Sequence, residues 1–145
     1  MNYLRYTGVF LAVAIGAGIL VSVLNATMDS VLGSSAQLMV PAMIAALVEG
    51  QHHAKRCKAR PVVGEAWNFT WIATAIAIGL NVALAYLAAP LLPVFGRLAI
   101  APFPSQQFIV LLGLYGAGYL ICNRLFLGIG AGNQLSLMRS RGEVE

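Results

Sequence analysis

Charge is what this sequence has least of: Lys, Arg, Asp and Glu together make up 10% of its 145 residues, against roughly 25% in soluble globular domains. Hydrophobic residues make up 59%, so there is too little polar surface to cover a water-soluble core. Acids are scarcest, five in all, and no two of them share an apolar segment, which excludes paired-carboxylate chemistry within a span. Two cysteines, Cys57 and Cys122, are too few for a disulfide framework, and both are expected to be free thiols. No nucleophile stands beside a base, and no phosphate loop or haem-like histidine pair is present. Catalysis, a cofactor and a metal site are therefore not expected, and neither an internal repeat nor a low-complexity stretch is evident.

The few charges are also clustered. Residues 6–28, 66–96 and 98–123 carry none, and each run is long enough for the roughly 20 residues that cross about 30 Å of hydrocarbon at about 1.5 Å per residue. The expected fold is an all-α membrane protein, a single transmembrane domain over residues 1–145 with a bundle of four helices at about 6–25, 34–50, 65–89 and 106–127. The first apolar run, residues 7–24, exceeds the roughly 7 to 15 residues of a signal-peptide core and no A-x-A site follows, so it is read as a retained span. The second is short and contains Pro41, which removes a helix hydrogen bond and favours a kink; a re-entrant segment is the alternative. The third opens with Glu65, where the helix dipole favours negative charge, and with Trp67 and Trp71 at belt positions. Pro90 and Pro93 close it, and a proline-rich connection carrying Arg97 leads to the fourth.

A net charge of +4 does not point to nucleic acid, because the basic residues sit in one short loop and at the ends of apolar segments. Lys55, Arg56, Lys58 and Arg60 form that loop; with Arg5, Arg139 and Arg141 they lie on one side of the expected topology, and Arg97 stands alone on the other. The positive-inside rule then places both termini and the loop in the cytoplasm. That parity requires the second segment to cross, as a helix at the short end of the spanning range. The same four loop residues are candidates for binding anionic lipid, and nothing in the sequence separates that role from topology. Arg124, near the inner end of span four, is placed to snorkel to the same headgroups.

In lipid the hydrophobic effect does not drive helix onto helix, so small residues carry the packing signal. Rows at four-residue spacing occur in every span: Ala14, Gly18 and Ser22; Ala42, Ala46 and Gly50; Ala75, Gly79 and Ala83; Gly113 and Ala117. Gly18, Ala46, Gly79 and Gly113 are the expected contact points. Asn81, mid-span, needs a hydrogen-bond partner and should face the bundle or another copy. Glu49 is the acid nearest the bilayer core. Read at the C-terminal end of span two, where the dipole disfavours it, it should pair with a cation, Arg124 first and Lys55 second. His52, His53 and Cys57 lack the fourth ligand and the spacing of a structural zinc site and are read as part of the solvated loop. The run Gly128, Gly130, Gly132 has no strand before it and reads as a flexible exit from span four.

The basic run, Arg60-Pro61, Glu65 and Trp67, together with Gly118-Tyr119-Leu120 and Arg124-Leu125, resemble a family of small four-span bacterial inner-membrane proteins without an assigned activity. The resemblance implies a multi-pass protein of the bacterial inner membrane. Small multidrug transporters fit less well, since their span-one glutamate is missing, and so do quinone-linked disulfide enzymes, whose paired cysteines are missing. Two functions follow as expectations: a non-enzymatic accessory or interaction subunit that packs against a larger membrane complex or itself, or a small homo-oligomeric transporter or channel with Glu49, Asn81 and Arg124 along a polar route.

Overall fold

The computed structural model describes residues 1–27, 34–88, 90, 102 and 105–143. The turn containing Asp29 and the connection carrying Arg97 lie outside the described residues. Among the described residues there are no strands. The helices are α1 (Tyr3–Thr27), α2 (Ser34–Cys57), α3 (Val63–Ala83, continued by a π-helical turn Leu84–Ala88) and α4 (Gln106–Ser140). Three stretches are long and apolar enough to cross a membrane: Tyr3–Leu24, Val63–Leu87 and Gln106–Ser140. This is a helical membrane protein.

The helices alternate in direction. Arg5 meets Glu49 while Val21 packs near Leu38, so α1 and α2 are antiparallel; Thr74 meets Asn123 while Asn81 meets Tyr119, so α3 and α4 are too. α2 and α4 make the most extensive contact, with α1 flanking α2 and α3 flanking α4. This central position accounts for the modest hydropathy of α2. Its Leu38, Pro41, Ala42, Ala45, Ala46, Glu49, Gly50 and Ala54 are buried against other helices, so they need not match lipid.

The contact between α2 and α4 is backbone on backbone. A Cβ at Gly130 would overlap the carbonyl oxygen of Leu47 and lie 3.0 Å from its Cα; a Cβ at Gly50 would overlap the carbonyl of Leu127 and lie 2.9 Å from the nitrogen of Ala131. Each glycine therefore admits the other helix, and Ala46, one turn from Gly50, and Ala131, next to Gly130, are buried beside them. Towards the ends bearing Arg5 and Val63, aromatic side chains fill the wider space between α1 and α3. Tyr3 stacks on Phe69 at 5.9 Å and Tyr6 meets the same ring edge-on at 5.6 Å, the offset and T-shaped arrangements that ring quadrupoles favour.

Three sequence expectations change. The Gly128–Gly130–Gly132 run is not a flexible exit: α4 continues to Ser140 because a stripe at helical spacing, Leu127, Gly130, Ala131, Gln134 and Met138, stays buried from residue 127 onwards. Its 35 residues measure about 52 Å, well beyond the roughly 30 Å of a hydrocarbon core. The helix stops at a Schellman cap: Gly142 has φ 71°, its N–H donates to Arg139 at 3.1 Å and that of Glu143 to Met138 at 3.0 Å. Secondly, α2 does not end at residue 50 but includes His52, His53, Lys55 and Arg56, leaving only a short linker before α3. It ends where Lys58 takes a left-handed conformation, φ 52°, and donates to the carbonyl of Ala54 at 2.8 Å. Thirdly, the small residues of α3 that face inwards are Ala66, Ala73 and Ala77, with Thr70, Thr74 and Asn81. The row Ala75 and Gly79 is exposed, as are Gly113 and Ala117 on α4, and a Cβ at Gly79 or Gly113 would meet nothing within 4 Å. Ala14, Gly18, Ala42, Ala46 and Gly50 are all buried, whereas Ser22 is exposed.

Candidate functional site

Polar side chains enter the interior at three levels. At the end bearing the basic residues, Asn2 caps α1, its Oδ1 accepting from the N–H groups of Leu4 at 3.0 Å and Arg5 at 3.3 Å. Glu49 reaches the same turn from α2. It accepts from Arg5 through Nε at 2.5 Å and Nη2 at 3.1 Å, and from the backbone N–H of Asn2 at 3.1 Å. The carboxylate is 1% exposed and the guanidinium side chain 29%. Two guanidinium donors and one backbone donor thus replace the water that Glu49 loses, and the N-terminal dipole of α1 adds to the attraction.

This corrects the expected pairing with Arg124. Glu49 lies two turns inside α2 rather than at its end, and its face of the helix turns to α1. The guanidinium of Arg124 instead lies over the ring of Trp67, 5.6 Å from its centroid, a cation–π contact on the outside of α3 and α4. Lys55 and Arg56 are exposed in the last turn of α2. The amine of Lys58 donates to the backbone carbonyl of Glu143 at 3.3 Å, tying the linker to the end of α4. Arg60 lies against Gly132 on α4.

A cleft of about 180 Å³ opens beside the ion pair, lined by Arg5, Glu49, His53, Arg56, Cys57 and Glu65. His53 Nε2 is 4.0 Å from Glu65 Oε2. Cys57 is exposed, and Cys122 is a free, partly buried thiol on α4. No group of three metal-ligating side chains occurs among the described residues.

One turn deeper, the hydroxyl of Tyr6 donates to Asn123 Oδ1 at 2.9 Å and Asn123 Nδ2 donates to Thr74 Oγ1 at 3.2 Å, so one amide joins α1, α3 and α4. Deeper again, Asn81 Nδ2 donates to the hydroxyl of Tyr119 and to the carbonyl of Ala77 at 3.2 Å. The Tyr119 hydroxyl donates in turn to the Leu38 carbonyl at 2.9 Å, joining α4 to the first turns of α2. A small cavity of about 30 Å³ lies beside Asn81 and Tyr119. Among the described residues, every buried side-chain nitrogen and oxygen has a hydrogen-bond partner.

Asn81 is therefore in the interior, but Glu49, Asn81 and Arg124 occupy three separate contacts and not one passage. Tyr6, Tyr119, Asn123 and Thr74 went unrecognised in the sequence although a signal existed. Tyr119 and Asn123 are four residues apart on α4, and Thr70, Thr74 and Asn81 share one helical face of α3. Comparison of the chain with family models, with curated proteins and with solved structures finds no match.

Proposed function

We propose that the protein is a non-enzymatic accessory subunit of the bacterial inner membrane, which crosses the bilayer four times with both termini in the cytoplasm and packs against another membrane protein. The observation that carries the interaction role is the outward position of Gly79 and Gly113. Both are exposed, with open space where a side chain would begin, and Ala75 and Ala117 lie one turn away on the same faces. On a lipid-facing surface such rows let a further helix approach closely, and among the described residues nothing packs within 4 Å of a Cβ at Gly79 or Gly113. The four-span topology is supported by the side-by-side course of α2 with the three apolar helices and by the gathering of Arg5, Lys55, Arg56, Lys58 and Arg60 at one end.

The transporter or channel alternative draws on the buried polar groups. It is less well supported, because those groups are engaged with one another and the cavity at Asn81 is small, about 30 Å³.

Replacing Gly79 or Gly113 by leucine tests the interaction role, since among the described residues a Cβ at either position meets nothing within 4 Å. Both variants are expected to melt within a few degrees of wild type in detergent while losing at least most of the protein that co-purifies from native membranes in mild detergent. Unchanged co-purification in both variants would overturn the assignment of these faces.

A further inference from the structure

A shallow, open groove runs along the outside of α4 beside the linker between α2 and α3, lined by Arg60, Arg124, Leu125, Gly128, Ile129, Gly132 and Asn133. It brings together two guanidinium groups from distant parts of the chain. Arg124 is held over Trp67, while Arg60 lies along α4 at Gly132, where its Nη2 would be only 3.3 Å from a Cβ. The ion pairs among the described residues are Arg5 with Glu49 and His53 with Glu65; neither Arg60 nor Arg124 meets a carboxylate there. Gly128 leaves the floor open, with nothing within 4 Å of a Cβ. The amide of Asn133 adds a donor.

Depth and apolar continuity say what would occupy such a groove. Asn123 is level with Tyr6 in the first turns of α1, so residues 124–133 extend about 15 Å outward from there along the helix axis, through the zone where a span meets the headgroups. From the groove, Leu125 and Ile121 continue the row of Ile129 at four-residue spacing, all exposed, towards the middle of the membrane. Two cations that meet no carboxylate among the described residues, at the head of an apolar track, match a phosphate with an acyl chain attached.

We infer that this groove is a binding site for an anionic phospholipid of the adjacent leaflet, with Arg60 and Arg124 on the phosphate, Asn133 as a further donor and the acyl chain along Ile129, Leu125 and Ile121. Guanidinium suits the role because its planar fork meets phosphate oxygens in pairs. The remaining cations of the linker region, Lys55, Arg56 and Lys58, lie outside the groove. The inference does not depend on the accessory role proposed above.

The test uses the full chain carrying Trp71→Phe, so that Trp67 is the sole tryptophan, in micelles doped with phosphatidylglycerol or phosphatidylcholine brominated on the acyl chain. Phosphatidylglycerol is expected to half-quench Trp67 at about one tenth the mole fraction of phosphatidylcholine, and Arg60→Gln to reduce that preference about fivefold, the worth of one interfacial cation. Arg124→Gln should do the same but also alters the surroundings of Trp67, so Gly128→Leu, which fills the floor and keeps both charges, is the second variant and should weaken the preference as well. Lys55→Gln and Arg139→Gln should leave it unchanged. Equal quenching by the two lipids, loss of preference in the Lys55 and Arg139 variants as large as in Arg60→Gln, full preference in Gly128→Leu, or displacement of the lipid by millimolar inorganic phosphate would each overturn the site.

Discussion

Gly130→Leu is expected to abolish the folded state in detergent, and Gly50→Leu to do the same. At both positions the first atom of a side chain would overlap a backbone carbonyl of the facing helix, Leu47 for Gly130 and Leu127 for Gly50. A clash with the tip of a side chain is relieved by a rotamer change; a clash with backbone is relieved only by moving the helix. Overpacking costs about 1–3 kcal/mol where neighbours can yield and more where they cannot. Separating α2 from α4 would also pull Asn123 away from Tyr6, because α4 carries the amide that joins α1 and α3. Even Gly130→Ala should lower stability by about 3 kcal/mol, whereas Gly79→Ala, made into open space, should change it by less than about 0.5 kcal/mol. Melting curves followed by helical circular dichroism decide this, and a Gly130→Ala protein that melts with wild type would show that the two helices do not touch here.

The second large effect is expected at the pair Arg5 and Glu49, and it should be asymmetric. Arg5→Gln leaves a carboxylate that is 1% exposed with a single backbone donor, and should cost about 3–5 kcal/mol, the usual penalty for an uncompensated buried charge. Glu49→Gln leaves a guanidinium that already reaches solvent at 29% exposure and can turn towards water, so about half that cost is expected. The double change should cost less than the sum of the two. Glu49→Gln combined with Arg124→Gln should instead be additive, because these residues share no contact. Coupling between Glu49 and Arg124, with none between Glu49 and Arg5, would contradict the observed pairing.

The contrast between these residues shows what the sequence made legible. Charge-free runs located α1, α3 and the start of α4, because burial in lipid leaves a compositional trace at every exposed position. Helix ends left none of that kind. α2 was expected to stop where charges begin and α4 where glycines begin, yet the chain is stopped by backbone caps, at Lys58 and at Gly142, whose signal is a single left-handed residue. The row Ala42, Ala46, Gly50 was recognised because α2 offers few other small-residue faces. On α3, alanines at 66, 73 and 77 compete with Ala75 and Gly79, and spacing alone does not say which face meets a partner. Asn81 stood out as a lone amide, while Asn123 was passed over as the end of an apolar run. For Glu49 the sequence placed a cation nearby, but the choice of Arg5 over Arg124 depends on which side of α2 faces α1, and that is set by the glycine crossing with α4 on the other side.

If α2, less apolar than its neighbours, crosses the membrane as proposed, Cys57 and position 97 should be accessible from opposite sides. Membrane-impermeant thiol labelling of intact cells tests this with two single-cysteine proteins, one retaining Cys57 and the other carrying Arg97→Cys with Cys57 and Cys122 replaced by serine. The account predicts labelling at position 97 without lysis and at Cys57 only after the membrane is opened. Labelling of Cys57 in intact cells, or of both positions from the same side, would contradict it.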